Sequence, residues 1–197
     1  MSLLGWPAEK KLPSRRRQLR RRSVALALLD EFGRAFPEIT YDLLWESPTI
    51  NAQAWRVGTV RHVRVYGGLV RHATITRPGL ALMIAHETGH HLGGLPRDPE
   101  MRWMTWQGQA DYWAARTAMP LVFGSQAYDA TLRGARQILK LHEDLIPLLA
   151  EGDEPDLSAR CRYFIFCAGA SGTEIPPCAK AEYRRSFNQE YPTNNLV

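Results

Sequence analysis

The hydrophobic positions of the chain follow helical spacing at both ends. Between about 15 and 36, and again between 126 and 150, apolar residues recur every three or four positions, which predicts two amphipathic helices. Two shorter helices are predicted near 157–170 and 178–188. The C-terminal third of the chain is therefore expected to be mainly helical.

Strand-like patterns occupy the region between the first helix and residue 76. The runs at 39–45 and 54–57 predict short strands. The runs at 60–66 and 69–75 flank Gly67-Gly68, which predicts a hairpin because glycine accepts the positive φ of a tight turn. Together with the helices, these runs predict an α+β fold with a small sheet.

A further helix is predicted where an apolar stretch at 78–85 leads into the residues His86-Glu87-Thr88-Gly89-His90. Thr76 is suited to cap its N-terminus, and Pro78 fits a first helical turn. Gly93-Gly94 is suited to end it. The five-residue motif is therefore expected near the C-terminal end of a buried helix.

The motif places metal-binding and acid–base groups side by side. His86 and His90 are four residues apart, so in a helix both imidazoles project from one face and can hold a single metal ion. Glu87 lies close by without being a ligand and is the expected general base. Zinc at a site with an open position lowers the pKa of a bound water to roughly 7. The motif predicts a hydrolase that uses one Zn²⁺, most simply a peptidase acting on peptide or protein substrates.

The residue that completes the metal site is left open by the sequence. Asp111 is the only acid in the next predicted helix, which Pro120 is expected to end, and it is the predicted third ligand. Its alternative role is to orient a ligand histidine from behind. Gln107 is expected to be a weaker ligand or a substrate-facing amide. Asp98 or Glu100, or a site with only two protein ligands, are the remaining alternatives.

The spacing of these residues resembles that of gluzincin-type metallopeptidases. His86-Glu87-x-x-His90, the segment at 110–115 and Met119-Pro120 are most similar to the ImmA/IrrE-like metallopeptidases, over about 78–120. This resemblance implies a zincin-like fold and a regulatory protease that cuts one protein partner. Thermolysin-like gluzincins use a Glu-x-x-x-Asp pair whose glutamate binds the metal, and the matching pair in this chain is Gln107-x-x-x-Asp111.

The net charge of +5 is located in an N-terminal arm at 1–23. This arm has a single acid, Glu9, and eight basic residues: Lys10, Lys11, Arg15, Arg16, Arg17, Arg20, Arg21 and Arg22. The 17 basic and 19 acidic residues that remain leave the rest of the chain at about −2. Nucleic-acid binding through this arm is possible on charge alone but is not favoured, since such a run is usually one solvated face of a helix.

Length and cysteine usage bound the domain organisation. The 197 residues suit the arm, a single zincin-like metallopeptidase domain at 24–190 and a loose C-terminal tail at 191–197. No stretch has the roughly 20 apolar residues of a membrane span. The odd number of cysteines and the lack of a convincing signal peptide predict a cytoplasmic protein, with Cys161 and Cys167 as buried free thiols. A disulfide from Cys178 to either of them would instead fit an exported protein.

Intact Glu87 favours an enzyme over a purely structural zinc site, because structural sites close all four positions with Cys or His. The expected function is therefore a zinc-dependent metallopeptidase. The alternatives are the regulatory protease implied by the resemblance, and a non-catalytic zinc-stabilised domain with a DNA-binding arm. Tyr112, His72 and an arginine are candidates for the donor that stabilises the oxyanion.

Overall fold

The computed structural model describes residues 13–98, 100–145 and 157–180. In chain order, its elements are α1 (Arg15–Ala35), β1 (Ile39–Leu44), β2 (Ala52–Val57), β3 (Val60–Tyr66), α2 (Gly67–Arg71), α3 (Arg77–Leu92), α4 (Gln107–Trp113), α5 (Met119–Phe123), α6 (Ala127–Leu145) and α7 (Ala159–Ser171). This α+β architecture confirms the predicted zincin-like fold class. Most of the predicted helix at 178–188, and the tail at 191–197, lie outside the described residues.

Helix α1 is the amphipathic helix predicted from the N-terminal pattern. Ala25, Leu28, Leu29 and Phe32 form its buried face, and Phe36 stacks on Phe32 with ring centroids 6.1 Å apart. The helix runs unbroken from Arg15 to Ala35, so the six arginines at 15–22 and the apolar stripe belong to one element. The boundary drawn at 23/24 between an arm and a domain stays a prediction.

The sheet has the strand order β1-β3-β2. Strand β3 pairs in parallel with β1 and antiparallel with β2. Val63 and Val65 of the central strand are fully buried, which is the expected consequence of alternation with one face toward the core. Strand β2 is left as an edge strand on the side of the sheet that faces α3.

The predicted hairpin around Gly67-Gly68 is wrong. The hairpin is formed by β2 and β3 around Gly58, which has a φ of 59°, and Gly67 begins the short helix α2. A Cβ on Gly67 would lie 1.9 Å from the Trp45 carbonyl oxygen. These glycines are therefore required by close backbone packing rather than by a turn. Arg71 holds α2 in place by donating hydrogen bonds to the carbonyls of Trp45 (2.6 Å) and Ser47 (3.0 Å).

Helix α3 is the central element of the molecule. Every residue from Gly79 to His91 is buried, as expected for a helix that is apolar on all sides along most of its length. Thr76 occupies the N-cap position, with Pro78 in the first turn, as the sequence predicted. The helix packs against the sheet, α1, α4 and α6, so the histidine motif is held from several sides.

The second predicted helix does not end at Pro120. Helix α4 passes through one wide π-helical turn, at Ala114–Ala118, directly into α5 (Met119–Phe123). Pro120 lies in the first turn of α5, where the absent N–H costs no helical hydrogen bond. The chain turns at Gly124, which has a φ of 53°. A π-turn shifts the helical register by one residue, which a spacing argument from sequence does not anticipate.

Helix α7 is covalently tied to the segment that follows it. Cys161 and Cys178 form a disulfide with a Cα–Cα distance of 6.0 Å, so the expectation of a free thiol at Cys161 is wrong. Cys167 is free. Disulfides are typical of oxidising compartments, which counts against the predicted cytoplasmic location. No helix in the described ranges is long and apolar enough to cross a membrane.

Candidate metal centre

The two motif histidines lie side by side on α3. Their ring centroids are 4.5 Å apart with the ring planes at 75°, and each side chain is almost wholly buried. Glu87 joins them, and the ligand-type atoms of His86, Glu87 and His90 all lie within 4.8 Å of one another. Among the described residues, these are the His, Cys, Asp or Glu side chains grouped closely enough to hold a metal ion.

Each histidine uses its Nδ1 atom to bind the protein. Nδ1 of His90 is 2.8 Å from the carbonyl oxygen of Thr105, and Nδ1 of His86 is 2.7 Å from Oδ1 of Asp111. Such partners fix the orientation of the ring and leave Nε2 as the nitrogen that can bind a metal. Burial lowers the pKa of both histidines, so both favour the neutral form that a metal ligand requires. The donor set therefore fits a zinc ion.

Asp111 is held between His86 and a buried arginine. Arg162 on α7 donates Nε to Oδ2 and Nη2 to Oδ1 of Asp111, each at 2.7 Å. Burial would raise the pKa of Asp111, but Arg162 and His86 outweigh it and hold that pKa below its ordinary value. Nη2 of Arg162 also lies 3.3 and 3.4 Å from the two ring nitrogens of His86. Asp111 thus lies directly behind His86, and its role as a metal ligand stays a prediction.

Close packing of α4 on α3 makes this arrangement possible. A Cβ on Gly89 would lie 2.8 Å from the carbonyl oxygen of Ala110, so the two helices touch through backbone atoms. Ala110 and Asp111 on α4, and Ala114 in the π-helical turn that follows it, are fully buried. The glycine on α3 and the alanine on α4 therefore allow the two helices to approach closely.

Glu87 is the buried carboxyl group of the site. It is only 7% exposed, and burial raises its pKa to about 8. Its carboxylate accepts a hydrogen bond from the backbone N–H of Ala54 on the edge strand β2, and one oxygen lies 4.0 Å from Nε2 of His86. Glu87 therefore lies between the edge strand and the histidines.

Comparison with known families agrees with this geometry. The model of peptidase family M48 matches residues 13–141, about two thirds of the chain, from the start of α1 to near the C-terminal end of α6. The chain belongs to peptidase family M48. M48 is a family of zinc metalloproteases, so the family and the site geometry agree. The match does not show the ImmA/IrrE-like relationship suggested by 78–120. No curated protein and no solved structure matches the chain.

Gln107 is the remaining candidate ligand of this M48 peptidase domain. It begins α4, is only 6% exposed and precedes Asp111 by four residues, so the two side chains share one face of the helix. The other candidates are not grouped with the histidines: Oδ1 of Asp98 accepts the backbone N–H groups of Glu100 (3.0 Å) and Met101 (2.8 Å) in an exposed turn. Within the described ranges, these acids lie outside the group of potential metal ligands.

Arg162 is the residue of this M48 centre that the sequence analysis missed. It lies 51 residues after Asp111, in a stretch whose only visible signal was its apolar character. Its side chain is only 8% exposed, and a buried arginine requires an anionic partner. The helix has two arginines, Arg160 and Arg162, and the sequence does not indicate which of them is buried or which residue is its partner.

A cluster of arginines in this M48 domain, here called the cationic rim, lies at one end of β2. Arg56 and Arg61 are directly opposite each other in the β2–β3 pairing, an arrangement that destabilises a sheet when no anion is present. Burial, with repulsion from Arg61 and Arg97, lowers the pKa of Arg56. Nε of Arg56 is buried without a hydrogen-bond partner in the described part of the chain. The guanidinium lies 5.2 Å from the ring centroid of Trp103.

The predicted oxyanion donors are engaged elsewhere. The hydroxyl of Tyr112 donates to the carbonyl of Thr173 at 2.9 Å. His72 ends α2, and its Nδ1 accepts the backbone N–H of Thr74. Neither contact is directed at Glu87 or the motif histidines.

Proposed function

We propose that this M48 domain is a zinc-dependent peptidase in which His86 and His90 bind one Zn²⁺ through Nε2 and Glu87 is the general base. The observation that carries the proposal is the anchoring of both Nδ1 atoms, on Asp111 and on Thr105. This anchoring orients two neutral imidazoles beside one buried carboxyl group. Zinc bound there supplies Lewis acidity toward the scissile carbonyl and toward an attacking water.

The proposed role of Asp111 is to position His86, in place of the ligand role predicted from sequence. Both of its oxygens already accept charge-assisted bonds from Arg162, and Oδ1 also contacts His86. A carboxylate behind a ligand histidine fixes its tautomer and increases its basicity.

Gln107, one turn earlier on the same face, is the proposed third ligand. Its neutral amide oxygen is a weaker ligand than a carboxylate, so we expect a lower zinc affinity than a glutamate would give.

The proposed mechanism uses the contact between Glu87 and the edge strand. An extended substrate pairs with the free edge of β2, which places its scissile bond beside Glu87. Glu87 accepts a proton from the attacking water and passes it to the leaving amine. Because burial raises the pKa of Glu87 to about 8 in the metal-free protein, a nearby cation is required to keep it ionised at neutral pH. A bound zinc ion would be that cation and would keep Glu87 ionised.

The cationic rim indicates the kind of peptide that suits this cleft. Arg56 is two residues from Ala54 along the same edge and faces two further arginines, Arg61 and Arg97. A peptide with an Asp or Glu side chain at the matching position would pair with Arg56 and relieve this repulsion. We expect Arg56→Gln to lower kcat/KM several-fold for a peptide with Asp or Glu at this position. For the matched peptide with Asn or Gln there, kcat/KM should stay unchanged. Arg64→Gln, on the other face of the sheet and paired with Asp42, is the control.

The experiment that tests the proposed function is peptide hydrolysis by the zinc-loaded protein, beside Glu87→Gln. A mixture of proteome-derived peptides, read by mass spectrometry, reports cleavage at any sequence that the cleft accepts. We expect cleavage by the parent, a loss of at least about a hundredfold in Glu87→Gln, and unchanged zinc content in that variant. Equal behaviour of both proteins would contradict the proposal.

The second candidate function is a non-catalytic zinc-stabilised domain, and Gln107 is the residue that favours it. An amide in place of a carboxylate ligand is compatible with an impaired site. In that case zinc removal would lower the melting temperature, and no peptide in the mixture would be cut. Cleavage of a single protein substrate, and of no other peptide, would instead support a regulatory protease that cuts one protein partner.

A further inference from the structure

A cavity lies at the opposite end of α3 from the histidines. It has a volume of about 320 Å³, a size at which small-molecule sites begin. Its walls come from α1, from α2 and from the start of α3. The lining residues are Arg17, Arg20, Arg21, Val24, Val70, Ile75, Thr76, Arg77 and Leu80. Four of these nine lining residues are arginines and none is acidic.

Two of the four arginines are committed to the fold. Nη1 of Arg21 donates to the carbonyl oxygens of Val70, His72 and Ile75 at 2.6–2.9 Å, which fixes the position of its guanidinium in the wall. Arg77 pairs with Glu31 at 2.7 Å.

The other two arginines are free to receive a ligand. Arg17 and Arg20 are exposed, and within the described ranges no acidic residue forms an ion pair with either. They follow one another at i and i+3 on α1, so both guanidinium groups border the same opening. Guanidinium groups in pairs match the oxygens of a phosphate, which accepts several charge-assisted hydrogen bonds.

The start of α3 adds to the positive potential of the cavity. Thr76 and Arg77 line it, and no side chain caps the first turn of this 16-residue helix. The free N–H groups of a helix N-terminus favour an anion. The Thr76 hydroxyl accepts a hydrogen bond from Nε2 of Gln137 at 2.8 Å and keeps its own proton for donation.

The remaining lining residues are aliphatic, and they define the second half of the ligand. Val24, Val70, Ile75 and Leu80 provide a wall that an inorganic anion would leave uncovered. Burying a short hydrocarbon there stabilises a complex by about 25 cal/mol per Å² of apolar surface removed from water. Single-stranded nucleic acid is disfavoured because its binding typically uses aromatic stacking surfaces, and none of the lining residues is aromatic.

We propose that this cavity is a binding site for a phosphate monoester attached to an apolar chain, with Arg17 and Arg20 contacting the phosphate and the aliphatic wall contacting the chain. The site does not depend on the metal centre or on catalysis. It gives the arginine run of the N-terminal helix a specific role, in place of general attraction to anions.

The experiment is a calorimetric titration of the full-length protein with hexyl phosphate, with inorganic phosphate and hexanol as half-ligands. We expect hexyl phosphate to bind at least roughly tenfold more tightly than either half-ligand. Arg17→Gln combined with Arg20→Gln should raise the Kd by at least about tenfold. Arg15→Gln combined with Arg16→Gln removes the same charge from the same helix outside the cavity, and this control should change the Kd less than threefold.

Two outcomes would overturn the inference. Equal losses in the two double variants would show that the arginines act only as a diffuse charge. Binding of inorganic phosphate as tight as that of hexyl phosphate would show that the apolar wall takes no part. The second variant is Val24→Asn, because Val24 is half-buried whereas Leu80 is buried and its replacement could disturb the fold. Val24→Asn should weaken the binding of hexyl phosphate and leave the binding of inorganic phosphate unchanged.

Binding to lipid vesicles distinguishes the two possible sources of the phosphate monoester, a lipid headgroup and a free molecule. Vesicles of phosphatidylcholine with one fifth phosphatidic acid present the group on a membrane surface. Vesicle binding that hexyl phosphate displaces assigns the site to a lipid headgroup. Hexyl phosphate binding without vesicle binding assigns it to a free molecule, and both results support the same chemistry.

Discussion

The two ends of helix α3 hold arginine side chains in opposite ways. At the C-terminal end, the guanidinium of Arg162 is buried and bound by both oxygens of Asp111 behind His86. At the N-terminal end, Arg17 and Arg20 lie at the surface of a cavity without an acidic partner in the described chain. The first arrangement positions a reactive group, and the second leaves charge available to a ligand. Burial with a partner, rather than residue type, decides which role an arginine has.

The largest expected effect comes from breaking the buried pair. Arg162→Met leaves the Asp111 carboxylate buried without its main partner, so we expect the free energy of unfolding to fall by about 3–5 kcal/mol. Urea unfolding of the metal-free protein measures this. The double variant Arg162→Met with Asp111→Leu removes both charges and should recover much of the loss. A single-variant loss below about 1 kcal/mol would show that the pair does not stabilise this end of α3.

The next effect concerns the affinity for zinc at the same end. Gln107→Glu supplies a carboxylate at the proposed third-ligand position, so we expect the zinc Kd to fall by at least roughly tenfold. Competition with a chromophoric chelator measures it. Gln109→Glu adds the same charge on a different face of α4, where Gln109 donates to the Gly93 carbonyl at 3.0 Å, and should change the Kd much less. An equal response of both variants would remove Gln107 from the ligand set.

Acid should weaken the metal end of α3 through His142, which is fully buried on α6. Burial, with the nearby Arg162, lowers the pKa of His142 to about 3. The unfolded chain therefore binds a proton near pH 6.5 that the folded chain does not bind until about pH 3. The contribution of neutral His142 to the free energy of unfolding is therefore complete above pH 6.5 and is lost as the pH falls from 6.5 toward 3. At pH 5 the loss should be roughly 2 kcal/mol. His142→Asn should show a shallower decline in unfolding free energy between pH 7 and 5, and parallel curves would contradict this assignment.

The smallest expected effect is at the other end of the helix. Arg17→Gln combined with Arg20→Gln removes two exposed, unpaired charges, so the free energy of unfolding should stay within about 0.5 kcal/mol of the parent. The same urea titration used for Arg162→Met measures it. A loss comparable to that of Arg162→Met would mean that these arginines support the fold rather than wait for a ligand.

The sequence predicted the parts of the molecule that depend on local spacing. The interval of four between His86 and His90 determines that both rings share one face of α3, and the alternation of valines in β3 determines its buried face. These features need only the geometry of one element and the polarity of its neighbours.

The parts that sequence did not predict depend on contacts between distant segments. Gly67 was interpreted as a turn residue because its real constraint, the backbone at Trp45, lies far back in the chain. The partner of Asp111 comes from α7, and the Cys161–Cys178 bond depends on how α7 packs. The helix at 107–123 continues past Pro120 because a π-turn shifts its register. None of these leaves a periodic pattern.

The measurement that tests the central claim most directly is zinc content per chain, by elemental mass spectrometry, in the parent and in the double variant His86→Ala with His90→Ala. The account predicts close to one zinc per folded parent chain and none in the variant, with circular dichroism showing that the variant is folded. A folded parent that takes up no zinc from excess metal, or a variant that keeps its zinc, would contradict the assignment of these histidines as the metal site.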